Sequence, residues 1–133
     1  MTIRRQVNAK DSTLGPGERQ QSPGLRAERL AATFLEGKGL TILARNYRCR
    51  GGEVDLILRA PDGTLIFCEV RARRSRAQGG AAASVGTAKQ RALVLAAQHY
   101  LRRYASPPPC RFDVVAIDGD HLEWLPGAFD GTG

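Results

Sequence analysis

Three short, largely apolar runs separated by turn-prone residues fill residues 41–71. Thr41-Ile42-Leu43-Ala44-Arg45-Asn46-Tyr47-Arg48 reads as a first strand, and Arg50-Gly51-Gly52 as the turn that follows it. Gly52-Glu53-Val54-Asp55-Leu56-Ile57-Leu58 and Leu65-Ile66-Phe67-Cys68-Glu69-Val70-Arg71 read as two more, joined by the turn-prone Pro61-Asp62-Gly63. The pattern thus predicts a three-stranded meander. Val54, Leu56 and Leu58 should share one face of their strand, and Ile66, Cys68 and Val70 one face of theirs. Ile57, Leu65 and Phe67 make the opposite faces apolar as well, so the strands need cover on both sides.

A 3.6-residue period flanks this meander. Ser22-Pro23 predicts a helix start, and Ala27, Leu30, Ala31, Phe34 and Leu35 give an apolar stripe ending at Gly37 or Gly39. Ser84 is the expected cap of a second helix, with Val85, Ala88, Ala92, Leu95, Ala96 and His99 near its buried face and Ser106-Pro107-Pro108-Pro109 stopping it. Arg111-Phe112-Asp113-Val114-Val115-Ala116-Ile117 is a further strand, and His121–Leu125 an expected edge strand. Residues 1–22, polar and rich in glycine and proline, read as a flexible basic arm; 23–129 as a single domain; 130–133 as a tail. The order of elements predicts an α/β fold with a mixed central sheet flanked by helices.

The acids interrupt this apolar pattern. Glu53 and Asp55 alternate on one strand, as do Glu69 and Arg71 on the next, and a tight hairpin would bring Asp55 near Glu69. An unpaired charge inside an apolar strand is costly. A carboxylate pair beside a cation suits a magnesium-type ion and a phosphate. The alternative is a structural ion pair of these acids with Arg71. Glu53 is read as the polar start of its strand, and Asp113 as a structural acid bonded to a turn or to arginines. Glu28 on the first helix is either a solvated acid or one that leans into a site beside the sheet. His99 and His121 lack metal-ligand spacing, and no phosphate-loop or nucleophile-elbow motif occurs.

Charge and cysteine content narrow the setting. The chain has 133 residues, 42% of them hydrophobic, and a formal net charge of +7, which favours an anionic partner, nucleic acid first. Arg73, Arg74 and Arg76 open a glycine- and alanine-rich stretch that reads as a phosphate-contact loop or as a solvated linker. Three cysteines without close spacing favour a reducing compartment, and no apolar run is long enough to span a bilayer. A cytoplasmic protein that does not enter the membrane is expected.

Taken in order, Gly24-x-x-Ala27-Glu28, Arg45-Asn46-Tyr47-Arg48, Gly52-Glu53-Val54-Asp55-Leu56-Ile57, Phe67-Cys68-Glu69-Val70-Arg71-x-Arg73, Lys89 and Arg111-Phe112-Asp113-Val114-Val115 resemble the YraN-like family of the PD-(D/E)xK nuclease superfamily, relatives of Holliday-junction resolvases. The resemblance implies a restriction-endonuclease-like core. It implies Asp55 and Glu69 as ligands of Mg²⁺ or Mn²⁺, with Glu28 as an additional acid. It also implies DNA, branched DNA included, as substrate and a symmetric homodimer as the acting form. The superfamily's lysine, two positions after its second acid, is here Arg71. A guanidinium stays protonated and can stabilise phosphate charge but cannot readily serve as a base. Lys89 is either a replacement amine from the second helix or a surface residue. The same fold without cleavage, as a nucleic-acid-binding module, is the alternative function.

Overall fold

The computed structural model describes residues 3–6, 23–72 and 85–131. In chain order the elements are β1 (Ile3–Gln6), α1 (Pro23–Gly37), β2 (Thr41–Cys49), β3 (Gly52–Arg59), β4 (Leu65–Ala72), α2 (Thr87–Leu101), β5 (Cys110–Asp118) and β6 (His121–Phe129). The strands form one six-stranded sheet in the order β1-β6-β5-β4-β3-β2. The meander β2-β3-β4 is antiparallel, β4 and β5 run parallel through the α2 crossover, and β5-β6-β1 close the other side antiparallel.

α1 ends as its sequence predicts. Gly39 adopts φ +91°, the Leu40 amide donates to the Leu35 carbonyl at 3.2 Å, and the Gly39 amide donates to that of Glu36 at 3.0 Å. That pattern is a Schellman stop, which a residue with a Cβ would strain. The β3–β4 turn closes on Gly63, at φ +93°, whose amide reaches the Ala60 carbonyl at 2.9 Å.

Each face of the sheet carries its own core, as the two-sided apolar pattern requires. On one face Ala27, Ala31, Phe34 and Leu35 of α1 pack on Leu56, Leu58, Ile66, Cys68 and Val115. On the other, Leu93, Ala96, Ala97 and Tyr100 of α2 pack on Ile57, Phe67, Phe112 and Val114. α2 approaches the sheet tightly at Gly52: a Cβ there would stand 2.7 Å from the Ala96 nitrogen and 2.9 Å from the Ala92 oxygen.

Several expectations need correction. Ile3–Gln6 is not part of a loose arm but pairs with β6, so β6 is no edge strand; a backbone ladder recruits a polar segment that apolar periodicity cannot reveal. β6 also runs beyond Leu125 to Phe129, through Pro126 and a bulge that sets Gly127 at φ +61°. The α2 stripe is displaced: Leu93, Ala96, Ala97 and Tyr100 are buried, whereas Ala88, Leu95 and His99 are exposed. The helix is apolar on several sides, and that leaves its phase ambiguous. It is capped by Gly86 rather than by Ser84, which lies outside the described residues. Finally, Val54 belongs to the α2-side core while Leu56 and Leu58 belong to the α1-side core. Alternation therefore breaks at Asp55, between them.

Candidate active site

The break at Asp55 is built by three strands. The β3–β4 register runs from Arg59↔Leu65 to Leu56↔Cys68 and stops there. The β2–β3 register pairs Arg45 with Leu56 and Tyr47 with Val54 but leaves Asn46 and Asp55, which face each other, unpaired. Asn46 sits at φ +50°, a left-handed conformation that asparagine tolerates better than most residues. Where the ladder parts, Asp55 substitutes for it: its Oδ2 accepts the Val70 amide at 2.8 Å. The acid is thereby tied to the strand that carries Glu69.

Glu69 is buried to 1% exposure inside β4. Burial, followed by contact with the Asp55 carboxyl, pushes its pKa up to about 8. Its Oε1 is buried and has no hydrogen-bond donor among the described residues. Its Oε2 lies 3.4 Å from Lys89 Nζ and 3.7 Å from an Arg71 guanidinium nitrogen. Lys89 Nζ also donates to Glu53 Oε1 at 2.6 Å. Burial opposes the charge on Lys89, but the Glu53 hydrogen bond and the Glu69 and Asp55 carboxylates outweigh it and raise its pKa. The lysine is thus held as an ammonium. Glu53, with Lys89 as its hydrogen-bond and charge partner, is pulled below the usual carboxylate range.

On the α1 side, Glu28 has a raised pKa, first through burial and then through the Asp55 charge, partly offset by a hydrogen bond to Asn46. Among the described residues no three His, Cys, Asp or Glu side chains gather into a ready metal cage. Glu28 is therefore near Asp55 without completing a three-ligand cluster.

The structure brings Asp55, Glu69, Arg71 and Lys89 together and sets Glu28 beside them. Arg73, Arg74 and Arg76 lie outside the described residues. Two participants escaped the sequence reading. Glu53, taken there as a polar strand start, is the anchor of Lys89, and Asn46 carries the kink. A register argument would have placed Asn46 opposite Asp55, but nothing in the pattern signals its left-handed backbone. Asp113 has the structural role expected of it. Fully buried, it accepts Arg111 Nε at 3.0 Å, Trp124 Nε1 at 3.0 Å and the Gly127 amide at 2.9 Å. His99, expected at the core edge, is exposed and hydrogen-bonds the Tyr47 hydroxyl through Nδ1.

A mixed sheet with a helix on each face, and facing acids on adjacent antiparallel strands, defines a restriction-endonuclease-like α/β core. Residues 27–117 match the model of the Uncharacterised protein family UPF0102, and the chain belongs to that family, the YraN-like group that its motifs resemble. It is 60% identical over 111 residues to a UPF0102 protein of Cupriavidus taiwanensis, covering 84% of this chain and 85% of the relative. A UPF0102 protein of Paracidovorax citrulli is 54% identical over 126 residues, 89% of this chain and 93% of its own. A third, from a Janthinobacterium strain, is 50% identical over 118 residues, 88% of this chain and 94% of its own. Among the described residues no helix is long and apolar enough to cross a membrane.

Proposed function

We propose that this protein is a magnesium- or manganese-dependent endonuclease acting on the DNA phosphodiester backbone, with branched DNA among its substrates. The observation that carries this reading is the Asp55–Glu69 pair: two facing carboxyls, one of them buried with an oxygen that no donor among the described residues satisfies. Such a pair repels itself when both acids ionise, and a divalent cation would relieve that repulsion. Magnesium sites commonly use one or two carboxylates and leave the other positions to water and phosphate, so two acids without a third fit the ion. Asp55 and Glu69 would hold it, with Glu28 acting through water. The bound ion would supply charge neutralisation at the scissile phosphate and acidify an attacking water.

The chain's own residues do the rest. The Val70 amide fixes the Asp55 carboxylate. Lys89, protonated and tethered by Glu53, presents positive charge beside Glu69 and can stabilise charge on a phosphate oxygen in the transition state. It occupies the functional place that Arg71 leaves open, reaching the site from α2 instead of β4. Arg71 adds a second cation, and Arg73, Arg74 and Arg76 would contact the backbone without reading sequence. In this reading the protein works in the cytoplasm as a symmetric homodimer.

A binding module without turnover is the second reading, favoured by arginine at position 71. Cleavage of duplex and four-way-junction DNA with Mg²⁺ or Mn²⁺ separates the two. Metal-dependent cutting by wild type, lost in Asp55→Ala and Glu69→Ala, is the expected result. Salt-sensitive binding with no cutting selects the module, and cutting that survives in both variants rules out this site.

A further inference from the structure

The Asn46 kink changes which side of the sheet the edge-strand arginines occupy. Ala44 and Tyr47 both pack into the α2-side core, although residues three apart in a regular strand point to opposite faces. The left-handed Asn46 lies between them and absorbs the difference. Arg45 is the register partner of Leu56, which is buried in the α1-side core, and cross-strand partners share a face. Arg48 follows Tyr47 and so turns away from α2; its charge is felt by Glu28 on α1. Without the kink Arg45 and Arg48 would face opposite ways. With it, both lie on the α1 side, to either side of the position that faces Asp55.

Both arginines are exposed, and Arg48, at 74% side-chain exposure, makes a long 3.6 Å contact with Glu53 as its one ion pair among the described residues. Among the described residues β2 is the outermost strand on this side of the sheet, one strand from Asp55. Helices cover the two faces, so an extended polyanion can approach the acids across this edge. Three strand residues span roughly 10 Å, and long guanidinium side chains can close that distance onto neighbouring phosphates.

We propose that Arg45 and Arg48 form a two-point phosphate clamp that seats a nucleic-acid backbone across the β2 edge beside Asp55 and Glu69. The clamp rests on the nuclease reading, and its test works without cleavage. Binding of fluorescein-labelled duplex and four-way-junction DNA is followed by anisotropy in EDTA over a salt series. Wild type is compared with Arg45→Ala, Arg48→Ala, the double variant, and Arg59→Ala, which removes an exposed arginine at the far end of β3. Each clamp substitution should lower the slope of log affinity against log salt by about 0.9, and the double variant by about twice that. Arg59→Ala should leave the slope at the wild-type value. An equal loss in Arg59→Ala would mean bulk charge rather than a clamp and would overturn the proposal. Wild-type slopes in the Arg45 and Arg48 variants would overturn the clamp and leave the nuclease reading standing. No salt-dependent binding by wild type would overturn both.

Discussion

The Val70 amide donates to the Asp55 carboxylate across 2.8 Å, at the point where the β3–β4 ladder ends. One side chain thus does two jobs: it satisfies a backbone donor that has lost its strand partner, and it faces Glu69. The jobs can be separated by substitution. Asp55→Asn keeps an oxygen for Val70 and removes the charge; Asp55→Ala removes both.

Asp55→Asn should therefore fold with a melting temperature at or above that of the metal-free wild type above pH 8, where Glu69 is ionised and its repulsion with the Asp55 charge is removed. Asp55→Ala should be less stable than Asp55→Asn by about 1–3 kcal/mol, the cost of an unsatisfied buried donor. Both should lose metal-dependent cleavage. Denaturant melts in EDTA alongside a cleavage assay check this; equal stability of the two variants would count against the Val70 bond.

The pH dependence of the metal-free protein follows from Glu69. Its folded pKa is raised to about 8 from an ordinary 4.5. Between those values the folded state holds a proton that the unfolded state has released. Stability from this group is full below the unfolded value and is lost as pH rises through the folded one. Thermal melts in EDTA should fall from about pH 5 towards pH 8, and Glu69→Gln should flatten the profile. Added Mn²⁺ should stabilise wild type more at pH 8 than at pH 6, since the ion competes with a proton for the acids. A Mn²⁺ shift that is independent of pH would mean that the ion binds elsewhere.

Among the described residues Lys89 is the cation closest to Glu69, and Glu53 is its tether. Lys89→Met should lower turnover by about 10²–10³-fold, in the range seen when one preorganised charge-stabilising donor is removed. Glu53→Gln should cost less, because the amide still accepts from the ammonium. DNA affinity in EDTA should change far less than turnover in both. Single-turnover cleavage with matched binding curves tests this, and a Lys89→Met variant that cuts at the wild-type rate would assign the role to Arg71.

Much of this was legible in the chain. The β2-β3-β4 meander follows from short apolar runs and the turn residues between them, and the Asp55–Glu69 juxtaposition from two acids in strands joined by a tight turn. The missing parts share a physical cause: backbone geometry set by tertiary pairing. A left-handed Asn46 breaks alternation in β2 and β3 together, so Val54 parts company with Leu56. β1 is held through a ladder, which leaves no hydrophobic signature. In α2, Leu93 and Leu95 are equally apolar, and only the approach to the sheet decides which is buried.

That approach makes Gly52 a test of how fold and site are joined. A methyl group there would stand 2.7 Å from the Ala96 nitrogen and 2.9 Å from the Ala92 oxygen, and backbone atoms inside a helix cannot swing aside as a flexible side chain does. Gly52→Ala must therefore lift α2 from β3, at about 1–3 kcal/mol for overpacking. Lys89 lies one turn before Ala92 on the same helix, so lifting α2 draws its ammonium away from Glu69, while Asp55 and Glu69 remain on the sheet. Gly52→Ala should thus lose stability and lose turnover beyond what its unfolded fraction explains, yet keep its Mn²⁺-induced stabilisation. Turnover corrected for folded fraction, measured with Mn²⁺-dependent melting, reads the two effects separately. Normal turnover per folded molecule would show that Lys89 reaches its place without the close α2–β3 contact.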